Sequence, residues 1–258
     1  MNVCCFAVAA LVLTAAPALA GEIPQAERRS GFDFMSPQTQ AMQSDDTLNP
    51  GTLWTLDGAA QWARKAGAAQ KSCADCHGDA AATMRGVAAR YPAFDEQEQR
   101  PLDLQGRINA CRVRHQQAEP LAYESPDLLG LVTYVANQSR GLPIAPVADE
   151  RLTPFRERGQ ALFNARLGQL NFACAQCHDD RWGQHLGSSP IPQAHPTGYP
   201  IYRLEWQSLG SLQRRFRNCL FGVRAEPFPY GAPEYVEIEL YLMERAKGMP
   251  LETPAVRP

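Results

Sequence analysis

No long basic tract interrupts the 258 residues, and acidic and basic side chains nearly cancel at a formal net charge of −2. Nucleic acid, which recruits a clustered excess of Lys and Arg, is thereby set aside as a partner. Charge of either sign is missing altogether from residues 1–20, which hold the apolar run Val3 to Leu13 and close on Ala18-Leu19-Ala20 before Gly21. That run is far shorter than the roughly 20 residues needed to span a bilayer. The reading is a cleaved signal peptide and no stable membrane insertion afterwards, with an uncleaved anchor as the alternative. Cys4 and Cys5 leave with the signal, too early in the chain to mark a lipoprotein cleavage site.

Against these absences stand two copies of one motif, Cys73-Ala74-Asp75-Cys76-His77 and Cys174-Ala175-Gln176-Cys177-His178. The spacing lets Cys73 and Cys76, or Cys174 and Cys177, take the two vinyl groups of one haem while His77 or His178 ligates its iron. Zinc ribbons need four ligands in close register, and redox Cys-x-x-Cys pairs rarely carry a His directly after the second Cys. Two covalently bound haem c groups are therefore expected. Export agrees, because c-type haem is attached outside the bacterial cytoplasm, and the periplasm is the expected compartment.

The halves share more than the motif. Leu104-Gln105-x-Arg107-x-x-x-Cys111 recurs as Leu212-Gln213-x-Arg215-x-x-x-Cys219 at constant offset. After a one-residue gap, Ala118-Glu119-Pro120, Tyr123, Pro126, Tyr134 and Gly141-Leu142-Pro143-Ile144 match Ala225-Glu226-Pro227, Tyr230, Pro233, Tyr241 and Gly248-Met249-Pro250-Leu251. Matches in this order read as a duplicated unit. Good helix formers over Leu56 to Ala69 and Pro154 to Leu167 precede the motifs. Apolar residues at helical spacing fill Leu128 to Gln138 and Tyr235 to Lys247, which stop at Gly141 or Gly248 followed by Pro.

The expected fold is mainly α: two tandem, duplicated cytochrome c-like haem domains with long connecting loops, each with its own core. The divisions are a signal peptide (1–20), an N-terminal arm (21–50), a first haem domain (51–147) and a second (148–258). Residues 21–50, with little periodicity, and 181–203, rich in Gly, Pro and Ser, are expected to be loops or wrapping arms.

A c-type haem that does not bind small molecules needs a second axial ligand. Met84 and His115 have no aligned ligand in the second half, His185 and His195 have none in the first, and Met249 aligns with Leu142. Cys111 and Cys219 are the potential ligands that duplication carries along, so sulfur ligation of the first iron by Cys111 and the second by Cys219 is the sharper expectation. A disulfide between them is the alternative that export permits. Arg214, Arg215, Arg217 and Arg224 surround Cys219 in sequence, joined by Arg245 and Lys247, whereas Gly106 and Asn109 replace two of these arginines near Cys111. Guanidinium groups lower a thiol pKa and bind oxyanions through paired hydrogen bonds, which favours the second site for chemistry.

With these residues in view the chain resembles SoxA, the diheme cytochrome family of the periplasmic thiosulfate-oxidising Sox system. The most specific parts are Arg215-Phe216-Arg217-Asn218-Cys219 and the stretch Arg245 to Arg257. Family members without the first haem replace its attachment cysteines; this chain keeps Cys73, Cys76, His77 and Cys111. The resemblance implies an L-cysteine S-thiosulfotransferase that forms a heterodimer with the monohaem cytochrome SoxX. It further implies that Cys219 is catalytic, found in the family as a cysteine persulfide on haem iron, and that Arg215 holds substrate. In the implied reaction thiosulfate is joined to a cysteine of SoxY in the carrier SoxYZ, and two electrons pass to an acceptor cytochrome c. From the residues alone a plain periplasmic diheme electron carrier stays open, as does a diheme peroxidase.

Overall fold

The computed structural model describes residues 23–258, so residues 1–20, expected to be a signal peptide and holding Cys4 and Cys5, lie outside the described residues. Among the described residues no helix is long and apolar enough to cross a membrane.

The chain enters through α1 (Pro37–Ser44), started by Ser36, whose hydroxyl accepts from Thr39 N. In the first half α2 (Gly51–Ala63) is followed by the one-turn α3 (Cys73–His77) and α4 (Ala80–Thr83). A hairpin of β1 (Ala93–Asp95) and β2 (Arg100–Leu102) then leads into α5 (Leu104–Cys111), capped by Asp103, and α6 (Pro126–Asn137), capped by Ser125 with Pro126 at its start. The second half runs α7 (Thr153–Asn164), α8 (Cys174–His178), a short hairpin of β3 (His185–Leu186) and β4 (Ser189–Pro190), then β5 (Ile201–Arg203), β6 (Ser208–Gly210), α9 (Leu212–Gly222) and α10 (Pro233–Arg245). Ser211 caps α9 as Asp103 caps α5. Strand β7 (Ala255–Arg257) adds to β5 in parallel, making a three-stranded sheet that the first half lacks.

In each half the first long helix crosses the last at a glycine. A Cβ on Gly58 would lie 2.1 Å from Gly130 O, and one on Gly159 would lie 1.9 Å from Glu237 O, so only hydrogen lets the backbones approach this closely. Trp62, Ala80 and Val135 fill the crossing of α2 with α6, and Phe163, Ala175, Ile238 and Leu242 that of α7 with α10. Residues with positive φ recur in step: Gly67 and Gly168, Gln70 and Asn171, Gln99 and Gln207, Gln117 and Arg224, Glu124 and Gly231, Gly141 and Gly248.

Several expectations need correction. The helix foreseen from Leu56 to Ala69 runs from Gly51 to Ala63, because Arg64 turns extended and the loop folds back through an Ala66–Lys71 bridge. Residues 21–50 are not merely loop, since they contain α1. They do wrap: Arg29 N donates to Gln193 Oε1, Ser30 Oγ to Glu252 Oε1, and Asn49 Nδ2 to Pro254 O. The stretch 181–203 includes β3, β4 and β5, which periodicity cannot reveal in strands of two or three residues.

Nor are the halves separately cored throughout. One apolar cluster mixes Ala88, Ala136 and Ile144 with Met243, Met249 and Leu251, and another packs Leu129 and Trp54 against Tyr202, Leu209 and Val256. The two Gly-x-Pro segments themselves pair antiparallel. Ile144 N donates to Met249 O, Gly248 N to Ile144 O, Leu251 N to Leu142 O and Gly141 N to Leu251 O.

Candidate active site at Cys219

Helices α3 and α8 each present two thiols at i and i+3 and an imidazole at i+4, which a single helical turn brings to one face. Capping fixes the turns. Ser72 Oγ accepts from Asp75 N while Asp75 Oδ2 accepts from Ser72 N; in the second half Gln176 Oε1 accepts from Ala173 N at 2.9 Å. His178 Nδ1–H donates to Pro192 O at 2.6 Å, which orients the ring and makes Nε2 the nitrogen that would ligate iron. His77 instead sits with its ring centroid 5.7 Å from that of Trp62, whose Nε1–H donates to Gly78 O.

The six described cysteines gather in two groups. Cys73 feels the charge of Cys111 and Cys111 that of Cys76, while Cys174 and Cys177 both feel that of Cys219, so each helix following a hairpin returns a sulfur to its own motif. All six are free thiols, which removes the disulfide alternative for Cys111 and Cys219. Met84 packs in the apolar cluster beside Cys73, and His115 lies in a turn of π-helix over Arg112–Gln116. Of the other histidines, His185 is exposed on β3, and His195 donates Nδ1–H to Arg29 O, burial holding its pKa down at about 4.

The two aligned sulfurs differ in electrostatics. Cys219 is solvent-accessible on one side, yet protein crowds its sulfur enough that burial raises the pKa. Arg215, a hydrogen bond and charge from His178, and Arg203 outweigh that and bring it from 9.0 to about 7. At neutral pH a large share of this sulfur is thiolate. Burial pushes Cys111 up instead, and Arg107 and Arg114 only partly offset it.

The cause is the partner of each arginine. Arg107 Nη1 lies 2.7 Å from Asp95 Oδ2 and Arg114 grips the same carboxylate with two donors, at 2.8 and 3.0 Å, so the positive charge near Cys111 is spent on Asp95. These contacts hold Asp95 well below the usual carboxylate range. Arg215 has no carboxylate partner among the described residues. The charge it answers most strongly is that of Cys219, with Tyr199 beside both.

Of the other basic residues foreseen near Cys219, Arg224 is exposed with a positive φ and no side-chain partner among the described residues, and the rest are engaged elsewhere. Arg214 stacks on Trp206 at 4.2 Å, Arg217 donates to Phe228 O and lies over Tyr230, and Arg245 pairs with Asp179 at 2.5 Å. Lys247 pairs with Glu244. Arg203 was not foreseen, although its strand sits at the same offset from Cys219 as Asp95 from Cys111.

The donor set in the second half suits a covalently bound haem c. It comprises two thiols on one turn, an imidazole committed at Nδ1, a sulfur within hydrogen-bonding reach of that imidazole, and a buried, unpartnered Arg245 Nε next to the turn. The first half offers the same thiols and imidazole with Cys111 beside them.

Comparison with known proteins agrees. Residues 57–144 match the cytochrome c domain of SoxA/TsdA. The chain is 38% identical over 235 residues to the L-cysteine S-thiosulfotransferase subunit SoxA of Pseudaminobacter salicylatoxidans, covering 91% of this chain and 82% of that one. The chain belongs to the SoxA family. The Rhodovulum sulfidophilum SoxA subunit is 36% identical, with 90% and 80% covered. SoxXA from P. pantotrophus superposes with a TM-score of 0.86 at 29% identity, covering 90% of this chain and 87% of that one. The fold is thus that of a cytochrome c, and a cytochrome c domain of the SoxA family holds covalent haem c.

Proposed function

We propose that the chain is a periplasmic diheme SoxA subunit, bound to a SoxX-like monohaem cytochrome, that conjugates thiosulfate to a cysteine of a SoxYZ-type carrier. The observation that carries this reading is the Cys219 sulfur held between His178 and an arginine with no carboxylate of its own. The names borne by the relatives supply the reaction, L-cysteine S-thiosulfotransfer. In this reading Cys73 and Cys76, with His77 and Cys111, hold the first haem, and Cys174 and Cys177, with His178 and Cys219, the second. The chain is a tandem duplication divided near residue 147, supported by the recurring positive-φ residues and the twin glycine crossings.

Joining the sulfane sulfur of thiosulfate to a carrier cysteine thiolate forms one S–S bond and releases two electrons. A haem c held by Cys174, Cys177 and His178 would supply one-electron acceptance, and a partner haem and an acceptor cytochrome c would take the two electrons onward. The chain's own residues do the rest. Arg215 neutralises the sulfonate end and orients the sulfane sulfur toward Cys219; an S–S bond between that sulfur and the Cys219 thiolate, or its persulfide, forms with loss of the two electrons, and the carrier thiolate then attacks the sulfane sulfur and displaces the Cys219 thiolate, or persulfide anion. His178, fixed through Nδ1 by Pro192, would hold the second haem with its other ring nitrogen.

The test combines the holoprotein with the monohaem partner, carrier, thiosulfate and acceptor cytochrome. Two electrons should appear per thiosulfonate added to the carrier, and denaturing mass spectrometry should find two haems on a chain starting near Gly21. One haem, or electrons without conjugation, contradicts this reading and favours a plain electron carrier. Cys111→Met provides a separate check on ligation. A thioether stabilises ferric iron less than a thiolate, so one haem alone should change its low-spin resonance and rise in potential. Redox titration with electron paramagnetic resonance reads both.

A further inference from the structure

We propose that Arg203 is a second anion-binding residue of the Cys219 site, and that its exchange for Asp95 confines the sulfur chemistry to the second half. This deepens the proposed function and rests on it.

The exchange is visible strand by strand. Asp95 ends β1 opposite Arg100, and Arg203 ends β5 opposite Ser208, each the last paired residue before a four-residue turn into the next strand. In the first half this position and its turn bring Asp95, Glu96 and Glu98. Asp95 clamps Arg107 and Arg114, and Glu98 Oε1 adds a second contact to Arg114 at 3.1 Å. In the second half the same position brings a guanidinium, and the place of Glu98 is taken by Trp206, whose ring carries Arg203 on one contact at 5.0 Å and Arg214 on another at 4.2 Å.

One change of residue thus does two things. It removes the carboxylate that would ion-pair directly with Arg215, leaving only the weaker charge of Glu205 to reach it, and it adds a cation whose charge reaches both Arg215 and Cys219. Two guanidinium groups near each other repel unless an anion lies between them or beside them, so the arrangement favours a small dianion.

Arg203 is held rather than loose. Its Nε donates to Pro258 O at 2.8 Å and its Nη2 reaches Glu205 at 2.9 Å, while its side chain is 13% exposed. Pro258, directly after strand β7, which the first half lacks, supplies this contact and ties the guanidinium to that strand. Nη1 has no protein partner among the described residues and is available to a sulfonate oxygen. Glu205, whose side chain is 63% exposed, is the carboxylate paired with Arg203, and solvent weakens its hold.

The experiment measures KM for thiosulfate and for the carrier separately, together with thiosulfate binding to the holoprotein without carrier, read from the Soret difference spectrum. Arg203→Gln should raise the thiosulfate KM and weaken that binding by about tenfold or more, the size of a lost charge-assisted hydrogen bond, with the carrier KM unchanged. Arg203→Lys should recover most of the loss. Glu205→Gln, an exposed change that spares folding, should act in the opposite direction and tighten thiosulfate by about twofold to fivefold. Unchanged thiosulfate KM and binding in Arg203→Gln and Glu205→Gln overturn the proposal. A fall in thermal stability or kcat with thiosulfate binding intact overturns it too, since Arg203 would then only anchor β7. Full activity in a folded Cys219→Ala protein would instead overturn the reading on which this one rests, so the two failures are distinguishable.

Discussion

Cys219→Ala should bring thiosulfate conjugation to background while the protein stays folded and keeps its haem. The sulfur stands within reach of His178 and is the charge that Arg215 answers most strongly. Removing it deletes both the group that receives the sulfane sulfur and the anion that keeps Arg215 turned inward. No other thiol can stand in, since Cys174 and Cys177 belong to the attachment turn and burial pushes both upward, Cys174 to about 12. Conjugation is read from the mass of the carrier, haem content from the absorbance of the denatured protein, and folding from thermal unfolding. A folded, haem-replete variant that conjugates at the normal rate would show that Cys219 is not the reacting residue, and the second half would be an electron carrier.

The second large effect falls on stability. Gly159→Ala gains about 1 kcal/mol of helix propensity, but the new Cβ would sit 1.9 Å from Glu237 O and 2.5 Å from Glu237 C. Both obstacles are backbone, so α7 and α10 must move apart along their whole contact, an overpacking cost of about 3 kcal/mol or more. The clash wins. The net loss of about 2 kcal/mol should lower the midpoint of thermal unfolding by about 4–8 °C in a chain of this size. Gly222 ends α9 with nothing within 4 Å of an added Cβ, so Gly222→Ala should leave the midpoint unchanged or slightly raised. Equal effects from the two substitutions would mean that the crossing is not close-packed as described.

The contrast between these glycines also shows where sequence reading reaches its limit. The attachment turns, the aligned Cys111 and Cys219, and the helices that end at Gly141 and Gly248 declare themselves through spacing and through chemistry local to each segment. Gly58 and Gly159 do not, because a glycine inside a helix reads only as a weak point until the partner backbone is known. They also precede the motifs, where the spacing between the halves differs from the spacing after them, so the repeat does not pair them by eye. Charge was misleading for a related reason. Arg214, Arg217 and Arg245 are near Cys219 in number but are engaged by Trp206, Phe228 O and Asp179, and sequence does not distinguish a committed guanidinium from a free one. Arg203 lies at the end of a stretch whose Gly, Pro and Ser content suggested only a loop. Aligning the hairpins that precede Cys111 and Cys219 would have set it against Asp95.

The antiparallel pairing of residues 141–144 with 248–251 gives each half the same contribution to make and the same contribution to receive. Such reciprocity is what a two-fold axis imposes on two identical molecules. If the halves descend from one unit, that unit already carried a self-complementary edge, and it could have worked as a homodimer before its genes were fused. Fusion then allowed the symmetry to be broken one residue at a time, as at the strand end that holds Asp95 in one half and Arg203 in the other, so that a pair of equal partners became one site for chemistry and one that supports it.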